Sequence, residues 1–267
     1  MSIEALIFDV DGTMADTEEA HRTAFNLAFE RFRLGWKWTP EAYRDLLRTT
    51  GGKERIAAYI GQLPLSRPER RRLYEMVPGI HAEKTRFYSS VVADGAIPFR
   101  DGVLRLLEEG LSAGCRLAIA STTTAVNVDA LLQSNLGARG LEMFSVIACG
   151  DQVRAKKPSP DIYRLALRHL DLAPERCVAF EDSPNGLRSA TAAGLWTVVT
   201  PTFWTEGGDY GSASLLLPGL GDPARPLRGE PGNRLRTAAW LTLDELFEKA
   251  TPALPHCAVR ALYQAAS

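Results

Sequence analysis

Apolar residues along the chain follow two rhythms. Short, nearly unbroken apolar runs at Ala5 to Phe8, Arg116 to Ala120, Phe144 to Ala148, Cys177 to Phe180 and Leu195 to Thr200 lack regular polar alternation, which predicts strands buried on both faces of a parallel sheet. Between them, apolar positions return every three or four residues over Asp101 to Ser112, Thr124 to Leu136 and Pro184 to Ala193, as helices require. One further helix is opened by Ser159 as cap and Pro160 at the first helical position, and runs to Leu170 with Ile162, Leu165, Ala166 and Leu170 on one face. Strands alternating with helices predict an α/β fold, a doubly wound, Rossmann-like parallel sheet. Leu215 to Leu217 adds a candidate edge strand, Pro218 to Arg234 reads as an irregular loop, and Leu243 to Ala250 as a last helix.

The residues after the first run break this alternation. From Asp16 the pattern turns helical, with Thr17 placed to cap, Glu18 and Glu19 in the first turn, and Ala20, Ala24, Leu27, Ala28 and Phe32 at helical spacing. Glu41 to Arg48, Arg55 to Ile60, Pro68 to Met76 and Ile80 to Ser90 follow as short helices, with turns at Gly51-Gly52, Gly61 to Ser66 and Pro78-Gly79. No strand pattern interrupts them. An all-helical insertion inside an α/β chain predicts a cap domain over residues 16–95, hinged near Thr13 to Asp16 and Ala93 to Pro98, on a core of residues 1–15 and 96–267.

Composition narrows the range of partners. The 267 residues are 45% hydrophobic and 24% charged, as in a globular domain, and 31 Lys and Arg against 32 Asp and Glu leave no basic excess for a nucleic-acid backbone or an anionic membrane. No apolar stretch reaches membrane-spanning length. A small-molecule partner is expected, with no nucleic acid, no membrane and a monomeric chain. The cysteines, Cys115, Cys149, Cys177 and Cys257, lack metal-ligand spacing and read as structural thiols of a cytoplasmic protein.

The chemistry gathers where the apolar runs end. Asp9 and Asp11 leave the first strand at its carboxyl end, where open α/β sheets bind ligands, and two acids so close repel unless a cation lies between them. Their oxygens predict a hard metal, Mg2+. A calcium loop fails on spacing, since it needs Gly at the sixth position and Glu at the twelfth, whereas Gly12 is fourth from Asp9 and Ala20 twelfth. The second run passes straight into Ser121-Thr122-Thr123-Thr124 at a helix start, a place for phosphate oxygens. Lys156-Lys157-Pro158 follows the third run, and Glu181-Asp182-Ser183-Pro184-Asn185 ends the fourth. In the helical insertion, Thr49-Thr50-Gly51-Gly52-Lys53-Glu54-Arg55 has the composition of an anion nest, which would suit a substrate with a second phosphate.

Phe8-Asp9-Val10-Asp11-Gly12-Thr13, Ser121, Lys157-Pro158 and Glu181-Asp182, in this order and each after a predicted strand, resemble the four motifs of the haloacid-dehalogenase-like hydrolase superfamily. The resemblance implies that Asp9 attacks phosphorus to form an aspartyl phosphate, that Asp11 serves as acid and then base, and that Ser121 and Lys157 hold the phosphate. It also implies Mg2+ on Asp9, the main-chain carbonyl of Asp11 and Asp182, with Glu181 beside them. An acid at position 11 favours phosphoryl transfer over dehalogenation, and the Glu54-Arg55 neighbourhood of Lys53 speaks against a phosphonatase lysine.

Asp16 to His21, Tyr43 to Leu47 and Thr50 to Arg55 further resemble the CbbY-type sugar-bisphosphate phosphatases. That family implies hydrolysis of xylulose 1,5-bisphosphate, an inhibitor of Rubisco, and a link to the Calvin cycle. Carried over, Glu18 and Tyr43 would touch the sugar hydroxyls and Lys53 and Arg55 the distal phosphate, with Thr50, Gly51, Gly52, Thr122, Thr123 and Asn185 also binding substrate. A β-phosphoglucomutase-like mutase and a non-catalytic sugar-phosphate sensor are the alternatives. The loop at 218–234 and the tail beyond Ala250 extend past the family pattern.

Overall fold

The computed structural model describes residues 3–93, 97–229, 231–236 and 239–251. Strand β1 (Ala5–Phe8) is wholly buried and sits in the interior of a six-stranded sheet. Around it stand β2 (Arg116–Ala120), β3 (Phe144–Ala148), β4 (Cys177–Glu181), β5 (Trp196–Val199) and β6 (Leu215–Leu216), in the order β3-β2-β1-β4-β5-β6 and all parallel. The chain leaves β1 toward β2 and later returns to its other side as β4, so the strand order reverses at the carboxyl end of β1. Phe8 pairs in register with Ile119 on one side and Phe180 on the other.

Alternate strand residues enter two different cores. Leu6, Phe8, Leu117, Ile119, Val178 and Phe180 face a layer that includes α5 (Val103–Ser112), α6 (Ala125–Leu136) and α10 (Leu243–Ala250). Ala5, Ile7, Ala118, Ala120, Cys177 and Ala179 face the other, against α8 (Asp161–Leu170), whose Ile162, Tyr163, Ala166, Leu167 and Leu170 are buried. The small residues on that second face let α8 approach the sheet closely. A short helix α7 (Arg139–Glu142), absent from the apolar pattern, precedes β3, and α9 (Pro184–Ala192) follows β4. Residues 218–234 hold no helix or strand among those described, yet Leu220 and Leu227 are buried in the first core, as is Leu235 just beyond them. Arg105 secures the segment by donating to the carbonyls of Gly221 and Leu241.

Four helices lie between β1 and α5: α1 (Glu18–Arg31), α2 (Pro40–Leu46), α3 (Gly52–Gln62) and α4 (Arg67–Ala93). They form a helical cap with its own core, where Phe25, Phe29, Trp38, Tyr43, Ile56, Ile60, Val77 and Ile80 are buried together. Several sequence expectations change here. Pro78 does not separate two helices; α4 runs through it. Pro78 and Gly79 lie on the exposed side, so the hydrogen bond that proline cannot give is lost to water, while Val77 and Ile80 keep both halves on one apolar stripe. Leu27 is 37% exposed, and Phe25 and Phe29 take the core face of α1 instead. Ser159 does not cap α8, whose first turn begins after Pro160 without a side-chain cap. The two chain crossings between cap and core are paired, Ala15 with Phe99 and Arg100 N–H with Met14 C=O. Cys115, Cys149 and Cys177 are buried free thiols; Cys257 and the tail lie outside the described residues.

Candidate active site

The ends of β1, β2 and β4 and the faces of α1 to α4 enclose a cavity of about 820 Å3 at the junction of cap and core. Its floor is acidic. Asp9, Glu181 and Asp182 are all buried, and each offers a carboxylate oxygen within 4.8 Å of the others. Lys157 Nζ stands 2.6 Å from Asp9 Oδ1 and 2.6 Å from Glu181 Oε1, and the Tyr163 hydroxyl donates to the same Glu181 oxygen at 2.5 Å. Gly12 makes the turn that brings β1's exit against β4. Its φ of +83° is in the left-handed region, and a Cβ there would fall 2.3 Å from Asp182 Oδ2.

The floor carries more negative charge than its lysine offsets. Burial raises the Asp9 carboxyl to about 7, opposed by Lys157 and reinforced by Glu181 and Asp11. Burial, Asp9 and Glu181 push Asp182 well above the usual carboxylate range, and no hydrogen bond to its carboxylate is present among the described residues. Burial alone would lower Lys157, but Asp9 and Glu181 outweigh it and hold the ammonium charged. Crowded buried carboxylates with one orphaned member fit a hard divalent cation, which takes oxygen ligands and removes the repulsion.

Asp11 points away from that cluster, toward the cap. Its Oδ1 accepts from the Thr17 hydroxyl at 2.7 Å and lies 2.9 Å from His21 Nε2, and Lys84 Nζ is 2.6 Å from His21 Nδ1. Burial alone would raise Asp11, yet His21, Thr17 and Lys84 together hold it well below the usual carboxylate range. His21 is lowered by burial and by Lys84, so it is neutral: Nδ1 accepts from the ammonium and Nε2 donates to Asp11. Thr17 therefore turns its hydroxyl to Asp11 and makes no side-chain cap bond to α1. Nothing in the sequence pattern singled out Lys84. The signal was the stripe Val77, Ile80, Lys84, Tyr88, Val92, in which one lysine occupies a core position of α4. It was hidden by breaking the helix at Pro78.

Of the remaining predicted residues, Ser121, Thr122 and Thr123 line the wall beside Lys157, and Glu18, Thr50, Gly51, Gly52, Lys53 and Arg55 line the cap side. Gly51, at φ +95°, opens the first turn of α3. Lys53 is exposed to the cavity and has no ion pair among the described residues. One residue stands elsewhere, and another lines the cavity while also tying its two sides together. Tyr43 is wholly buried behind the wall, donating to Glu18 Oε2 at 2.7 Å and accepting from Arg55 at 2.8 Å. Asn185 bridges to the cap, donating to Arg48 C=O and Thr50 Oγ1 at 3.0 and 2.8 Å. The structure adds His81 to the roof; burial, Lys84 and Lys53 lower it to about 3, so it is neutral among cations. Arg100 was also missed. From the second crossing it donates to the carbonyls of Gly12 and Thr200, tying the turn after β1 to the end of β5.

A parallel sheet with an acidic centre at the end of its first strand, roofed by a helical cap, defines a capped α/β protein with its site at the junction of cap and core. The chain belongs to the family of haloacid dehalogenase-like hydrolases, whose model matches residues 6–200. It is 49% identical over 218 residues to Protein CbbY of Cereibacter sphaeroides, covering 80% of this chain and 91% of that protein. Over 225 residues it is 47% identical to the plasmid-encoded Protein CbbY of Cupriavidus necator, covering 84% and 89%. The crystal structure of a CbbY mutant from Rhodobacter sphaeroides in complex with xylulose-(1,5)bisphosphate superposes with a TM-score of 0.75 at 47% identity, over 83% of this chain and 98% of that one.

Proposed function

We propose that the chain is a Mg2+-dependent phosphatase of sugar bisphosphates with xylulose 1,5-bisphosphate as substrate, acting as a monomer on a free cytoplasmic metabolite. The observation that carries this reading is a single cavity with two poles: acids and Lys157 on the floor, and Lys53 and Arg55 on the roof, neither in an ion pair among the described residues. A monophosphate seated on the floor would leave the roof cations unmatched, whereas a second phosphate complements them. The likeness to CbbY, and the bisphosphate bound in the solved relative, support the same substrate.

In this reading an Asp9 oxygen attacks phosphorus, the bond to the sugar oxygen breaks, and Asp11 gives that oxygen a proton. The resting site presents Asp11 ionised, so it takes that proton from a water molecule, whose hydroxide returns to solvent, as the phosphate's charge arrives beside it. Once the sugar leaves, Asp11 takes a proton from water, and the water oxygen displaces Asp9 from phosphorus. Lys157 and the Ser121 hydroxyl hold the phosphoryl oxygens, and Glu181 with Tyr163 holds Lys157. Mg2+ would be held by the carboxylates of Asp9 and Asp182 and the Asp11 carbonyl, with Glu181 beside them; it supplies positive charge against the phosphate oxygens. The test is phosphate release from a panel of phosphorylated metabolites with Mg2+. One equivalent from xylulose 1,5-bisphosphate, abolished by EDTA and restored by Mg2+, is expected; equal turnover of sugar mono- and bisphosphates would overturn the reading.

A further inference from the structure

We propose that Trp204, carried by the core, is a positioning residue for the cap: it seats on Tyr43 and so fixes Arg55, which the reading above sets against the second phosphate, and Glu18, which the family resemblance sets on the sugar hydroxyls. The loop that bears Trp204 leaves the end of β5 beside the acidic floor. Thr200 N–H donates to Glu181 C=O at 2.8 Å, and the Tyr210 hydroxyl lies 2.9 Å from Asp182 C=O and 2.7 Å from Thr205 C=O. Between these anchors the loop is braced by Thr202, whose carbonyl accepts from Glu206 N–H at 2.8 Å and whose hydroxyl accepts from Trp204 N–H at 3.2 Å. Its backbone is thus tied to the strand ends that carry the acids.

From this turn Trp204 reaches out of its own domain. It is 7% exposed and belongs to the aromatic core of the cap. Its ring meets Tyr43 edge-on, centroids 5.7 Å apart and planes at 84°. The other ring neighbours of Tyr43 all come from the cap: Phe25 at 6.1 Å, Trp38 at 5.9 Å and the Arg55 guanidinium at 5.1 Å. Trp204 is the contribution of the core among the described residues. Tyr43 is therefore enclosed only when the cap is seated, and its hydroxyl is what joins Glu18 to Arg55. Arg44 reinforces the seat, donating to Glu206 C=O at 2.7 Å with its guanidinium 5.3 Å over the Phe203 ring. An ester confined to the floor uses none of this; a substrate spanning floor to roof does.

The experiment compares Trp204→Ala, Trp204→Leu and Trp204→Phe with the wild-type full chain, on xylulose 1,5-bisphosphate and on p-nitrophenyl phosphate. An aromatic pair of this geometry predicts a three- to tenfold fall, roughly, in kcat/KM for the bisphosphate in the Ala and Leu variants, expressed in KM, with the small ester changed less than about twofold. Phe keeps a ring edge and should restore most of the loss. Equal losses on both substrates, or none, would overturn the proposal, and so would a Phe variant that behaves like Leu. Amide hydrogen exchange gives a readout that needs no substrate: α2 and the first turn of α3 should exchange faster in Trp204→Leu than in Trp204→Phe, with β1 and β4 unchanged. Uniform exchange across these variants would overturn it too. A wild-type chain that fails to hydrolyse the bisphosphate sinks the substrate reading instead, and the exchange experiment then decides on Trp204 alone.

Discussion

Lys84→Met separates what the cap lysine does for the reaction from what it costs the fold. Lys84 is 4% exposed, flanked by the rings of Phe25 and Tyr88 at 5.1 and 4.9 Å, and burial lowers it from 10.5 to about 8. A fall of that size corresponds to about 3 kcal/mol, the order of the cost of keeping this ammonium charged in the folded chain at neutral pH. The sign follows from proton binding. Between about pH 8 and 10.5 the unfolded chain holds a proton that the folded chain has released, so the penalty is full below about 8 and fades as pH rises toward 10.5.

Methionine fills the same stripe without a charge, which relieves that cost, but it leaves His21 Nδ1 without its donor and Asp11 without the ammonium, so the two effects offset and the variant should melt within a few degrees of the wild type at pH 7. Activity should fall. The ammonium keeps His21 oriented with Nε2–H on Asp11, and losing a hydrogen bond of a charged group, about 1.5 to 3 kcal/mol, lowers kcat roughly 10- to 150-fold. The assays are a thermal melt and a pH profile of kcat. The wild type should lose activity as pH passes about 8 and Lys84 discharges, and Lys84→Met should lack that limb. A variant that melts several degrees lower with kcat and alkaline limb intact would refute the argument and leave Lys84 as a structural residue.

Three further outcomes are expected. Asp9→Asn keeps the shape of the floor but has no nucleophilic anion, so turnover should vanish with the circular dichroism spectrum unchanged; residual activity near wild type would remove Asp9 from that role. Lys53→Ala should lower kcat/KM at least about tenfold for a ketopentose bisphosphate and far less for p-nitrophenyl phosphate, and equal losses would move Lys53 from the roof to the core chemistry. Gly12→Ala forces a side chain onto the Asp182 carboxylate from a left-handed backbone, so Mg2+ activation should weaken at least tenfold in required concentration; an unchanged Mg2+ titration would show that the turn gives way at no cost to Asp182.

The inner strands β1, β2, β4 and β5 were legible in the chain because they are buried on both faces, and double burial leaves an unbroken apolar run that local reading detects. The four acids were legible for a related reason: in a parallel sheet the groups that line the site sit at the ends of such runs, so the end of the run marks them. Lys157 lies further along, beyond β3 and a turn, and only its Lys-Pro motif marked it. What the chain hid are contacts across layers. Lys84 looks like any helical lysine until α4 is seen to pass through Pro78, with its stripe packed on α1. Tyr43 carried the right composition for substrate contact, but packing buries it and directs its hydroxyl to Glu18 and Arg55. Trp204 lies in a loop with no periodicity, and its partner is more than a hundred residues away across the domain junction. Local sequence determines which segments are strands and where a strand's chemistry emerges, because both follow from nearest neighbours along the chain. Only the tertiary structure decides which buried charge faces Asp11 and which core side chain holds the cap, because those depend on surfaces that meet after the elements have formed.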